Sequence, residues 1–223
     1  SDRSGKVLVD RIHSAGHCLV NKIFMKDEFE DIKMKLTKLI KEKNIDVIIL
    51  SGGTGLTGRD STPEAVKSVN CENVILVQGD EPLIMPDDID RISNSLDDFK
   101  SFNCVNATSR LNSKDELFDH NIVKCSIVKN KIIYCYRTSP SISSFITQKK
   151  YIHKLLGLMA FKKSFLMMFD NNKNSIIQQT ESIEQMKLIE QGFSINNFEI
   201  NENQPSINTF DDLLDVCNQK KEI

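Results

Sequence analysis

The stretch Asn73-Val74-Ile75-Leu76-Val77-Gln78-Gly79-Asp80-Glu81-Pro82 decides the reading of this chain. An aliphatic run ends abruptly at a glycine and an acidic pair. Such a run reads as a buried strand cut off by a tight turn. In open α/β sheets, chemistry sits in the crevice beyond the carboxyl ends of the strands. A carboxylate carried there on a backbone turn is well placed to hold a metal ion against a phosphate. Asp80 is therefore the first candidate catalytic residue.

Working outward, the upstream sequence alternates between two periodicities. Residues 5–15 read as a short amphipathic helix and residues 18–25 as a strand. Residues 28–43 carry Phe29, Ile32, Leu36, Leu39 and Ile40 at helical spacing, and residues 46–50 form a short apolar run. Thr62-Pro63-Glu64 is a helix start with proline in the first turn. This alternation predicts parallel crossovers leading into the strand at 73–77.

Downstream the pattern is less regular. A helix is predicted from Pro86 to residue 96, and strands at 103–107, 122–128 and 131–136. The Lys129-Asn130 turn makes a hairpin of the last two. The polar stretch 138–150 reads as a mobile loop. A strand at 155–161, helices at 164–170 and 180–190, a strand at 193–200 and a helix at 211–217 complete the chain. No Pro/Gly/Ser-rich linker divides it. The predicted fold is α/β, a Rossmann-like three-layer scaffold with a mostly parallel mixed sheet, continuous across two segments at 1–70 and 71–223.

Composition narrows the function classes. The chain has 223 residues, 39% hydrophobic and 27% charged, which suits one large α/β domain or two small ones. No apolar run approaches ~18 residues, so no membrane span is expected. The polar opening carries no signal-peptide pattern. A net charge of −2 argues against a dedicated nucleic-acid binder. Six cysteines lack any metal-ligand spacing and mostly lie in apolar runs. They read as buried free thiols in a reducing cytoplasm.

A second glycine-rich turn, Ser51-Gly52-Gly53-Thr54-Gly55-Leu56-Thr57-Gly58-Arg59-Asp60, precedes the helix start at Thr62. Glycines let backbone N–H groups converge on an anion, and the following helix N-terminus favours negative charge. Arg59 can pair with phosphate, and Asp60 can support a metal. The string resembles the signature loop of the molybdopterin adenylyltransferase family, and the resemblance covers residues 1–68. It implies a phosphate cradle at Gly52, Gly53, Thr54 and Gly55, with Arg59 and Asp60 supporting adenylyl transfer.

From about residue 71 the chain resembles a different family, the 3-deoxy-manno-octulosonate cytidylyltransferases. The resemblance rests on several stretches in order. They are Gln78–Pro82, Asn121-Ile122-Val123-Lys124, Tyr134-Cys135-Tyr136-Arg137-Thr138-Ser139-Pro140, Leu156-Gly157-Leu158-Met159-Ala160-Phe161, Glu181 with Glu184-Gln185, and Ser206-Ile207-Asn208-Thr209. It implies a nucleotidyltransferase scaffold in which an acidic sugar attacks the α-phosphate of CTP. Mg²⁺ would be held by Asp80 and by position 208, where the family has Asp and this chain has Asn208. Gln78, Arg137, Glu181 and Gln185 would line the sugar and nucleotide pocket, and Asp80 and Arg137 would carry the catalysis. The family forms dimers through this half, so a homodimer is expected. The family's basic triphosphate loop is replaced here by residues 1–68, which leaves a catalytically silent hybrid as a further reading.

Plainer readings stand beside these. Asp80 and Glu81 can cap a turn, and Asn208 with Thr209 can start a helix. Glu181, Glu184 and Gln185 can form an ordinary solvated helix face. Arg137 can be a surface charge.

Overall fold

A computed structural model of the chain describes residues 3–52, 61–78, 81, 84–98, 102–169 and 174–200. Three helices come first: α1 (Arg3–Ser14), α2 (Phe29–Leu39) and α3 (Thr62–Ser68). Strand β1 (Asn73–Val77) and helix α4 (Pro86–Asp98) follow. Strand β2 (Cys104–Arg110), helix α5 (Lys114–Phe118), the hairpin β3 (Lys124–Val128) and β4 (Lys131–Tyr136), and helix α6 (Phe145–Gln148) come next. The long strand β5 (Ile152–Lys162) leads into α7 (Lys163–Met168), α8 (Ile176–Glu181), α9 (Glu184–Glu190) and β6 (Ile195–Glu199). The predicted helix at 211–217 lies outside the described residues.

The strands form one sheet in the order β1-β5-β2-β6-β4-β3, and β3 also pairs back onto β5. Strands β5, β2, β6, β4 and β3 therefore close into a ring, with β1 attached outside it. β2 runs along one edge of β5. The opposite edge is shared end to end by β1, opposite residues 158–162, and β3, opposite residues 152–154. Between them the edge of β5 at 155–157 carries no ladder strand among the described residues. Single backbone bonds flank this gap, from Leu155 N to Val123 O at 2.9 Å and from Gln78 N to Gly157 O at 2.7 Å.

Two cores sandwich the sheet, and alternation along β5 assigns its side chains to them. Leu155, Met159 and Phe161 face a cluster with Phe165 and Leu166 of α7 and Met186 and Leu188 of α9. Leu156, Leu158 and Ala160 face the other side, with Ile92 and Leu96 of α4. Three layers are thus present, as the sequence predicts for an α/β fold with a mixed sheet.

The parallel majority is not. Among the described pairings only β2 with β6 is parallel, and the others are antiparallel. The expected parallel partners, residues 18–25 and 46–50, join no ladder among the described residues. Hydrophobic alternation is present at 46–50, where Ile48 and Leu50 pack on Ile32, Leu36, Ala65 and Val69. Val47 and Ile49 point outward. A period of two specifies which side chains turn inward; it does not supply a backbone partner. Residues 29–69 instead share a separate small core. It meets the rest through Lys67 Nζ on Phe169 O at 3.5 Å and Lys163 Nζ on Val69 O, while Arg11 Nη1 of α1 donates to Ile84 O at 2.6 Å.

Two further expectations are revised. The helix predicted over 180–190 is broken at Ser182, which adopts φ 54° and separates α8 from α9. The polar stretch 138–150 is organised by buried Gln148. Ser139 Oγ donates to its Oε1 at 2.7 Å, and its Nε2 donates to the carbonyls of Ser141 and Ser143.

The β3–β4 turn places both Lys129 (φ 47°) and Asn130 (φ 62°) in the left-handed region. Two-residue hairpins of this kind favour Asn-Gly, and a non-glycine residue at positive φ costs about 1 kcal/mol or more. The double change Lys129→Asn/Asn130→Gly is expected to stabilise the protein by about 1 kcal/mol. A rise in the urea midpoint without a change in slope is the readout.

Candidate active site in the seam between β1 and β3

The gap at residues 155–157 of β5 opens into a cleft of about 280 Å³. Residues from five parts of the chain meet there. Gln78 and Glu81 arrive from the end of β1, residues 121–123 from the approach to β3, Arg137 from the end of β4, and residues 182–185 from the α8–α9 break. Lys154 and Gly157 of β5 form part of the lining.

Gly157 ties β5 to the end of β1. Its N–H donates to Glu81 Oε1 at 2.9 Å, and its carbonyl accepts from Gln78 N–H at 2.7 Å. Glu81 N–H in turn donates to Gln78 O at 3.2 Å, tying residue 81 back to the end of β1. A Cβ on Gly157 would stand 2.7 Å from Gln78 Oε1, 2.8 Å from Gln78 Cβ and 2.9 Å from Glu81 Cγ. The side chains of Gln78 and Glu81 fill the space a Cβ would need, so the position requires glycine unless they shift. Glu81 is buried, and the sequence reading missed its bond to Gly157. An isolated glycine inside an apolar strand was the available signal.

Arg137 is oriented by two carbonyls. Its Nε donates to Glu181 O at 3.1 Å and its Nη1 to His120 O at 3.0 Å. Glu181 thus contributes its backbone. Its side chain is exposed and does not line the cleft, because the αL turn at Ser182 ends α8 before it. Glu184 and Gln185, just past that turn, line the cleft instead. Glu184 and Lys154 are residues the sequence reading did not single out for the site. Glu184 lay within the same motif, but a continuous helix was assumed.

Lys124 lies directly opposite Lys154 across the β3–β5 ladder. It is fully buried. Its ammonium donates to Asp119 O at 2.6 Å and Ile122 O at 2.9 Å, so it holds the segment that carries residues 121–123 into the cleft. Burial lowers its pKa to about 8, with the charge of Arg137 acting the same way and Asp119 opposing.

His153 sits in the sheet, not in the cleft lining. Its Nδ1 is 3.2 Å from Thr108 Oγ1 and 3.7 Å from Glu199 Oε2. Burial lowers its pKa, assisted by Arg110 and opposed by Glu199. Cys104, Cys125 and Cys135 are buried free thiols as expected, whereas Cys18 is exposed and Cys71 half-buried. Burial pushes the Cys135 thiol up to about 12. No cluster of three or more His, Cys, Asp or Glu side chains suited to a metal occurs among the described residues. No described helix is long and apolar enough to cross a membrane.

Of the predicted site residues, Gln78, Arg137 and Gln185 converge on the cleft. Gly52 does not join them. It adopts φ +89°, and its carbonyl accepts from Thr62 Oγ1 at 3.3 Å. Gly53, Thr54, Gly55, Arg59, Asp60, Asp80 and Asn208 lie outside the described residues.

Comparisons with known proteins fall on both halves of the sequence reading. A family model described as a probable molybdopterin binding domain matches residues 1–79. A 3-deoxy-manno-octulosonate cytidylyltransferase of Chlorobium phaeovibrioides is 27% identical over 181 residues, covering 80% of this chain and 73% of the relative. That of Chloroherpeton thalassium is 32% identical over 165 residues, covering 72% of this chain and 66% of the relative. A match over 80% of the chain is longer than residues 71–223, so it reaches back into the segment matched by the other family.

Two solved structures share the fold. A CMP:2-keto-3-deoxy-manno-octonic acid synthetase complexed with CTP has a TM-score of 0.65 at 24% identity, over 76% of this chain and 70% of that one. The 4-diphosphocytidyl-2C-methyl-D-erythritol synthase of Anaerococcus prevotii has a TM-score of 0.53 at 12% identity, over 98% of this chain and 89% of that one.

Two outcomes follow from the geometry. Gly157→Ala forces Gln78 or Glu81 away from the seam and is expected to destabilise the protein by about 1–3 kcal/mol, read by urea denaturation. For Lys124, the unfolded chain keeps its proton to the ordinary 10.5 while the folded protein releases it near 8. The folded state therefore binds fewer protons in that window, and wild-type stability relative to Lys124→Met rises with pH there and is flat below it. Denaturation midpoints of both proteins across pH 7–11 give the check. The scaffold is a nucleotidyltransferase fold, and the chain is similar to 3-deoxy-manno-octulosonate cytidylyltransferases along most of its length and to the probable molybdopterin binding domain over residues 1–79.

Proposed function

We propose that this protein is a cytidylyltransferase that moves CMP from CTP to 3-deoxy-manno-octulosonate and releases pyrophosphate. The observation that carries this reading is the seam cleft. Gln78, Arg137 and Gln185, distant in sequence, line one cleft at the end of the strand that leads to Asp80. The similarity to cytidylyltransferases covers 80% of the chain in sequence and 76% in structure. In the reaction, the sugar hydroxyl oxygen bonds to the α-phosphorus of CTP as the bond to the β-phosphate oxygen breaks. Arg137 and Lys154 supply positive charge to a sugar carboxylate and phosphates. Gln78, held by its bond to Gly157, and Gln185 orient the sugar.

Mg²⁺ belongs to this reading. Asp80 and Asn208 offer a carboxylate and an amide oxygen, the hard donors this ion prefers. Bound there, it would neutralise charge developing on the phosphates. An amide ligand brings no charge, so a requirement for higher Mg²⁺ concentration is part of the proposal. Small-molecule substrates, a homodimer and a cytoplasmic location complete it, with a division of the chain near residue 70.

A second reading, adenylyl transfer to molybdopterin, is favoured by the family match over residues 1–79. It would rest on Gly52, Gly53, Thr54, Gly55, Arg59 and Asp60. Pyrophosphate release separates the two. The first reading expects release that needs CTP, the eight-carbon acid sugar and Mg²⁺ together, and that drops at least about 100-fold in Asp80→Ala. Release that needs ATP and molybdopterin, and is lost in Asp60→Ala, would install the second. Silence in both assays from a folded protein would leave a hybrid chain without catalysis.

A further inference from the structure

Gln185 has its amide nitrogen engaged inside the protein. Nε2 donates to Asn106 Oδ1 at 3.0 Å and approaches Met159 Sδ at 3.5 Å. Asn106 is fully buried in β2. Its Nδ2 donates to Ala107 O and to Leu156 O, both at 2.8 Å. These bonds span the irregularity where the register of β2 against β5 shifts between Asn106 and Thr108.

The chemistry leaves one arrangement. A backbone carbonyl only accepts, so two carbonyls facing one carboxamide require its NH₂ end. That sets Asn106 Oδ1 toward Gln185, and an oxygen there requires the Gln185 Nε2. Reversing Gln185 would put two buried oxygens face to face, and reversing Asn106 would put its oxygen against two carbonyls. Both hydrogens of Gln185 Nε2 have neighbours within the protein. The polar atom Gln185 has left for the cleft is Oε1, an acceptor.

We propose that Asn106 is a positioning residue that turns the Gln185 amide so that the cleft presents an acceptor at this corner, and that the substrate group seated there is a hydroxyl. A sugar carboxylate, which has no proton to give at neutral pH, is turned away from Gln185. This deepens the cytidylyltransferase reading and rests on it.

Two measurements test the proposal. The first needs no substrate: hydrogen exchange of the Gln185 side-chain amide by ¹⁵N NMR. Slow exchange in wild type, accelerated at least about tenfold in Asn106→Ala, is expected; equal rates in both overturn the Asn106–Gln185 pairing. The second is kinetic. One monodeoxy analogue of the sugar should show a KM about tenfold above the parent in wild type, and no such difference in Gln185→Met. The absence of any such analogue overturns the hydroxyl assignment. Should Asn106→Ala not fold, Gln185→Glu probes the same contact, since its carboxylate has no proton for Asn106 Oδ1. Its KM for the sugar should rise about tenfold with KM for CTP held, and an unchanged sugar KM overturns the pairing. If wild type does not turn over CTP and the sugar at all, the cytidylyltransferase reading falls and takes the hydroxyl assignment with it. The exchange rates still decide the pairing alone.

Discussion

The site depends on one constraint, the missing side chain at Gly157. The side chains of Gln78 and Glu81 approach that position more closely than a Cβ permits. Through that approach the strand end at Gln78 and the carboxylate of Glu81 both bond to a single residue of β5. Gln78 and Glu81 are thereby both set against the cleft. Without this contact β1 would still pair with residues 158–162, but Glu81 beyond it would have no fixed address. Each neighbouring feature answers to the same gap: the oriented Arg137, the broken helix at Ser182 and the loop held by Lys124.

Much of this was legible in local sequence, because local chemistry determines it. The strand at Asn73–Val77 and the hairpin turn at Lys129-Asn130 fall where aliphatic runs and turn residues place them. The grouping of Gln78, Arg137 and Gln185 was implied by the family resemblance, and the three side chains line one cleft. What failed was pairing and interruption. Residues 46–50 have the inward and outward alternation of a strand, yet a ladder needs a second backbone that sequence period cannot name. The helix expected through Ser182 carries a sound apolar stripe, and only the left-handed turn moved Glu181 out of the site and Glu184 into it.

Polar burial in this fold is closely reckoned. Asn106, Gln185, Lys124 and Gln148 are all buried, and each spends its donors on backbone carbonyls or on a neighbouring amide. Such groups cost free energy unless satisfied, so each fixes its surroundings in one arrangement. Three of the four lie at or beside the cleft, where the fold trades apolar packing for orientation.

The closed ring of β5, β2, β6, β4 and β3 has a consequence for ancestry. Its ladder is complete among the described residues without β1 or anything before it. A segment of different descent can therefore be joined ahead of β1 with no hydrogen bond of the ring at stake. Two family likenesses overlapping on one chain are what such a tolerant junction permits. The cleft, by contrast, is lined by residues from Gln78 onward, so an exchange upstream leaves its lining intact as long as the end of β1 is kept.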